Sequence, residues 1–140
     1  MRTLILVLSA AAVGSCMAGP PSPQGSMWEQ QQALRDQQEL GARLAGRLAG
    51  PATDCLPSYR AGNQMNISDN TILFDYGNTI YRNDPPGGCP GLGSGQYALV
   101  VRPVGSSLCR GEIAQVRDLQ SGMLRGTCTL GSFVPYRRAG

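Results

Sequence analysis

Residues 69–82 read DNTILFDYGNTIYR, and this stretch decides the fold class. Asp69-Asn70 has turn chemistry, and Thr71 to Tyr76 (TILFDY) is rich in β-branched and aromatic residues. Gly77-Asn78 is a two-residue hairpin signal, and Thr79 to Arg82 (TIYR) returns as a second strand. Working outward, Gln64 to Ser68 alternates on the N-terminal side. Tyr97 to Arg102 (YALVVR), Ile113 to Asp118, Met123 to Leu130 and Phe133 to Tyr136 follow on the other. About seven short strands predict a mainly β domain over 51–140, a small antiparallel barrel or sandwich. The loop Asn83 to Gln96 (NDPPGGCPGLGSGQ) carries eight glycines or prolines in fourteen residues and predicts no regular structure.

The β domain holds four cysteines, Cys55, Cys89, Cys109 and Cys128, with no C-x-x-C spacing. A zinc ribbon or thioredoxin-type motif is therefore disfavoured, and two structural disulfides are expected. The expected pairs are Cys89–Cys109, closing a loop around the strand at 97–102, and Cys55–Cys128, tying the first strand to the penultimate one. On this reading Cys55→Ser costs more than Cys89→Ser, because its crosslink spans more chain.

Residues 27–50 predict one amphipathic helix ahead of the β domain. Ser26 and Glu29 form a capping-box pair, and Gly50-Pro51 supplies the stop. Leu34, Leu40, Leu44 and Leu48 fall on one side of the helical wheel, while Glu29, Arg35, Asp36, Glu39, Arg43 and Arg47 fall on the other. The four leucines are expected to dock on the β domain, with Trp28 as a further anchor.

Residues 1–18 read as a signal peptide: Arg2, then the uncharged run Thr3 to Val13, then small residues. The run is too short to span a bilayer, and no transmembrane span is expected in the mature chain. Ala12 to Cys16 (AVGSC) resembles a lipobox, which implies lipidation at Cys16. Cys16-Met17-Ala18 also fits ordinary cleavage, giving a free chain from Gly19. Either outcome leaves an even four cysteines. Residues 19–26 (GPPSPQGS) form a solvated, partly stiff linker, which favours the lipid-anchored reading.

The charge census removes most familiar catalysis. The 140 residues carry twelve arginines and nine acids but no lysine and no histidine. Triads with histidine, His-ligated zinc, Schiff-base lysines and phosphate-gripping lysines are all excluded. Five carboxylates of the β domain, Asp69, Asp75, Asp84, Glu112 and Asp118, are the candidates for acid/base work; turn and surface roles suit them better. Arg137-Arg138 beside Tyr136 read as a solvated basic tail. No catalytic residue, cofactor, metal or nucleic-acid partner is expected.

Several strings together carry a resemblance: Leu44-Ala45-Gly46-Arg47 through Cys55-Leu56-Pro57, Asp69 to Phe74, Tyr81-Arg82-Asn83, Cys89-Pro90-Gly91-Leu92, Leu108-Cys109, Ile113 to Val116 and Cys128 to Phe133. Over about 44–136 the chain resembles an uncharacterised family of small exported, often lipoprotein-like proteins of Gram-negative bacteria. Glu112, two residues after Arg110, keeps one of its features. The resemblance implies export and a stapled β domain, and no activity. The functional expectation is a non-enzymatic exported envelope protein, periplasmic and membrane-anchored through Cys16, whose partner is an envelope protein or cell-wall component. The alternatives are an inhibitor that presents the loop 83–96 to a hydrolase, and a small carboxylate-dependent hydrolase.

Overall fold

The structure, a computed structural model, describes residues 26–60 and 63–140. The leader, Cys16 and the linker up to Gly25 lie outside the described residues. Helix α1 (Met27–Leu44) precedes eight strands: β1 (Arg47–Ala49), β2 (Gln64–Ser68), β3 (Thr71–Asp75), β4 (Thr79–Asn83), β5 (Tyr97–Val101), β6 (Ile113–Asp118), β7 (Leu124–Thr129) and β8 (Phe133–Arg138). They form two antiparallel sheets, ordered β1-β8-β4-β3-β2 and β5-β6-β7. Neither closes into a barrel. The seven strands expected from sequence are all present, and β1 is the eighth.

The unbroken apolar run in β3 follows from its place near the middle of the larger sheet. Ile72 and Phe74 face the second sheet, where Phe133, Leu99, Val116, Leu56, Leu92 and Leu108 complete the main core. Leu73 faces the other way, with Ile67 and Ile80, beneath Leu40 and Leu44 of α1. A strand covered on both faces has no solvated side to mark with polar residues. Phe74 packs edge-on against Phe133, with ring centroids 5.7 Å apart.

The helix is shorter than its sequence pattern suggests. The capping box at Ser26 and Glu29 forms, but the helix ends at Leu44 rather than near residue 50. Gly46 takes φ +68°, a left-handed conformation that glycine adopts without strain, and Arg47–Ala49 then pair with β8. Leu48 thus belongs to an edge strand opposite Arg137 and is exposed. Leu34 is exposed as well, so only Leu40 and Leu44 of the four expected leucines dock. Trp28 is no docking anchor: it is 66% exposed.

Two disulfides form, but with a different pairing from the expected one: Cys55–Cys109 and Cys89–Cys128. After β5 the chain doubles back along residues 53–59. Leu56 N donates to Leu108 O at 2.9 Å, Tyr59 N to Ser106 O at 3.0 Å and Arg110 N to Asp54 O at 2.6 Å. That path sets Cys109 directly opposite Cys55. Cys128 points inward from β7 and meets Cys89, which is fully buried in the main core. Cα positions 4.0 Å and 5.1 Å apart, set by backbone routes distant in sequence, chose the partners.

Candidate functional site

The most developed surface feature lies between α1, β2, β5 and the 83–96 loop. The loop is ordered by Asp69, whose two carboxylate oxygens accept the Gly91 N–H at 2.9 Å and the Gly93 N–H at 2.7 Å. Cys89 N donates to the Asp69 carbonyl at 2.6 Å. Leu92 opens a short 3-10 turn (Leu92–Ser94) and plugs the core. A Cβ on Gly93 would lie 2.9 Å from the Ser68 Cα, so glycine is needed for the close approach. A stretch expected to lack regular structure is thus fixed against the body, and it does not stand out from it.

Across this loop lies α1, touching it through Gln32, whose Nε2 donates to Gly93 O at 3.4 Å. Between them runs a furrow made of two depressions. The larger, about 660 Å³, is bordered by Arg35, Asp36 and Glu39 of the helix, Gln64 and Asn66 of β2, Tyr97–Leu99 of β5 and Leu119. The smaller, about 440 Å³, is bordered by Trp28, Glu29, Gln32, Asp36, Asp69 and Ser94. Asp36 and Ser94 belong to both, so the two join. The seam between the sheets underlies the furrow: Gln64 Nε2 reaches Leu99 O at 3.5 Å and Asn66 Oδ1 at 3.1 Å. Burial raises the Asp36 carboxyl above its ordinary pKa, and the charges of Glu39 and Asp69 push it further the same way.

Of the five carboxylates that the sequence offers for acid/base work, Asp69, Asp75 and Asp118 lie apart from one another, each bordering a different depression. Asp75 accepts the Gly77 N–H at 2.6 Å in the β3–β4 turn. Asp84 accepts from Thr71 Oγ1 and Arg82 Nε, both at 2.9 Å, which raises the Arg82 pKa. Glu112 buries its Oε2 atom without a hydrogen-bond partner. Two aspartates, Asp36 and Asp69, border the smaller half of the furrow, where Asp69 has both oxygens committed to loop amides. Asp36 gives no signal in the sequence, because it sits among the charged residues of the helical wheel. Arg137 and Arg138 are strand residues of β8, exposed and paired with β1, rather than a tail. No group of three or more metal-ligating side chains occurs among the described residues.

The second notable element is the β6–β7 hairpin. Asp118 Oδ1 accepts the Gln120 and Ser121 N–H groups, both at 2.9 Å, and Ser121 Oγ at 3.1 Å. These bonds, led by the Ser121 amide, hold its pKa below the usual carboxylate value. Arg117 Nη1 donates to Gly122 O at 3.0 Å, locking the turn from the other side. The hairpin presents Leu119, Met123 and Leu124, all more than half exposed. Sequence periodicity does not reveal this patch, because the three residues straddle a turn.

No family model, curated protein or solved structure matches the chain. No helix among the described residues is long and apolar enough to cross a membrane. The disulfides fit an oxidising, non-cytoplasmic setting.

Proposed function

We propose that this protein is a non-enzymatic, exported envelope protein, anchored by an acylated Cys16, whose disulfide-stapled β domain binds a partner or serves structurally. The observation that carries the reading is the cysteine bookkeeping. The four domain cysteines pair with one another, which leaves Cys16 as the single cysteine of five outside the domain, at the end of an uncharged apolar run. The resemblance to small exported, lipoprotein-like proteins of Gram-negative bacteria supports the same reading, with a periplasmic, outer-membrane-anchored location. A chain without histidine or lysine, with Asp69, Asp75 and Asp118 bordering three different depressions, favours binding over catalysis. The inward packing of Cys89 and Leu92 weighs against a loop 83–96 that enters a hydrolase cleft. Intact-mass analysis of the full chain recovered from envelopes tests the anchor. A diacylglyceryl-modified N-terminus at Cys16 is expected, and an unmodified chain starting at Gly19 overturns it.

A further inference from the structure

We infer that the N-terminal turn of α1 and the tip of the β6–β7 hairpin form a two-pronged contact with the lipid surface. The inference rests on the anchored reading of Cys16 and deepens it. Met27, Trp28, Leu119, Met123 and Leu124 are all among the large apolar side chains left exposed, at 52–80%. Water contact at five such residues has a cost that burial in another phase removes. Trp28 borders the smaller half of the furrow and Leu119 the larger, and Asp36 and Ser94 are shared between the two halves.

The length of chain ahead of the helix selects the bilayer as the occupant. Ser26 lies ten residues after Cys16. Even fully extended, ten residues reach only about 35 Å, so an acylated Cys16 keeps the start of α1 close to the membrane at all times. A tether of that length raises the effective concentration of a weak membrane-binding face, and a few interfacial side chains then suffice. Trp28, at the end of the helix nearest the tether, has the ring type that settles at the headgroup level. The hairpin tip is pre-ordered by Asp118 and Arg117, so its three apolar side chains are presented without further loss of chain entropy. Arg117 and Arg125 stand in the two strands of the hairpin, whereas Glu29, Asp36 and Asp69 border the half of the furrow at Trp28. The arginine charge at the hairpin suits anionic headgroups.

Trp28 is the only tryptophan in the chain, so its emission reports on this face alone. The test uses the acylated full chain reconstituted into phosphatidylethanolamine/phosphatidylglycerol vesicles that contain a brominated-acyl phospholipid. A blue-shifted Trp28 emission, quenched about twofold by the brominated lipid, is expected. The triple variant Leu119→Ser, Met123→Ser, Leu124→Ser lies on a different element and leaves both disulfides in place. It is expected to weaken the quenching at Trp28. Emission that stays solvent-like and unquenched overturns the inference while leaving the anchor intact, which is also the outcome if a protein covers this face. Quenching that the triple variant leaves unchanged overturns the pairing of the two prongs. If the chain carries no acyl group the anchored reading fails, and the unacylated chain added to the same vesicles decides the lipid contact separately. Quenching with co-sedimentation then supports it, and unchanged emission overturns it.

Discussion

The loop 83–96 and the first half of α1 exchanged the roles that their compositions suggest. The loop, rich in glycine and proline, is bound at Cys89, Leu92, Gly91 and Gly93 and contributes to the main core. The helix, with its capping box and the Glu39–Arg43 ion pair, has no buried residue at all. An amphipathic pattern reports that one face is suited to burial, and not how much surface is there to cover it. Among the described residues the apolar platform below α1 is Ile67, Leu73 and Ile80 with Met65 beside them, and from the helix it takes Leu40 and Leu44. Conversely, glycines let the loop backbone approach Ser68 and Asp69 closely enough to be held by hydrogen bonds rather than by side-chain packing.

The largest test of this contrast concerns the two disulfides, one serving the loop and one the outer segment. They close 54 and 39 residues, and chain entropy assigns about 4 kcal/mol to each. Their surroundings differ: Cys89 is fully buried, whereas Cys55 is exposed. Cys89→Ser therefore costs more than Cys55→Ser, by about 1–3 kcal/mol, because it strands a hydroxyl in the core. This reverses the order that sequence separation alone suggests. Urea midpoints of the two variants decide it, and equal midpoints would show that the loop is less integral than its burial implies.

Next in size is Asp69→Ala. It removes the acceptor for the Gly91 and Gly93 amides, and is expected to cost about 2–3 kcal/mol and to open the loop to proteolysis near Gly91. Limited proteolysis followed by mass mapping provides the readout. Within α1, Leu40→Ala and Leu44→Ala are each expected to cost about 1–2 kcal/mol, because both are only partly buried. Leu34→Ala should stay within about 0.5 kcal/mol. Thermal melts compare the three; a loss at Leu34 equal to that at Leu44 would restore the four-leucine docking face.

The smallest effect is a pair of pH responses with opposite sign. Asp36 has its folded pKa raised above 3.8 by burial, then by Glu39 and Asp69. Its folded form binds protons more tightly, so its contribution to stability declines as pH climbs through that range and stays unfavourable at neutrality. Asp36→Asn is thus expected to melt about a degree higher than the parent at pH 7, with the advantage gone by about pH 3. Asp118 has its pKa lowered by the Ser121 and Gln120 amides, so its contribution is present above about pH 4 and lost as pH falls through the lowered value. Asp118→Asn should destabilise at pH 7 and become neutral in acid. Melts of both variants across this range check the two signs.

The alternation of residues, the turn dipeptides and the cysteine count determined the strands, the order of the hairpins and the presence of crosslinks, because these depend on neighbours within a few residues. The Gly77-Asn78 turn and the β3–β4 hairpin are of this kind. Which cysteines meet was decided by how residues 102–112 run back along 53–59, a matter of two distant segments sharing backbone hydrogen bonds. The conversion of Arg47–Ala49 from a last helical turn into an edge strand was likewise decided by β8, which comes from the far end of the chain to pair with it. The clamp on the loop followed the same logic. Asp69 has the sequence context of an ordinary turn residue, and only the fold brought Gly91 and Gly93 to its two oxygens. The furrow, bordered by Trp28 and Leu119, belongs to no single segment, since a surface made by a helix, a loop and a hairpin exists only once all three have been packed against the same two sheets.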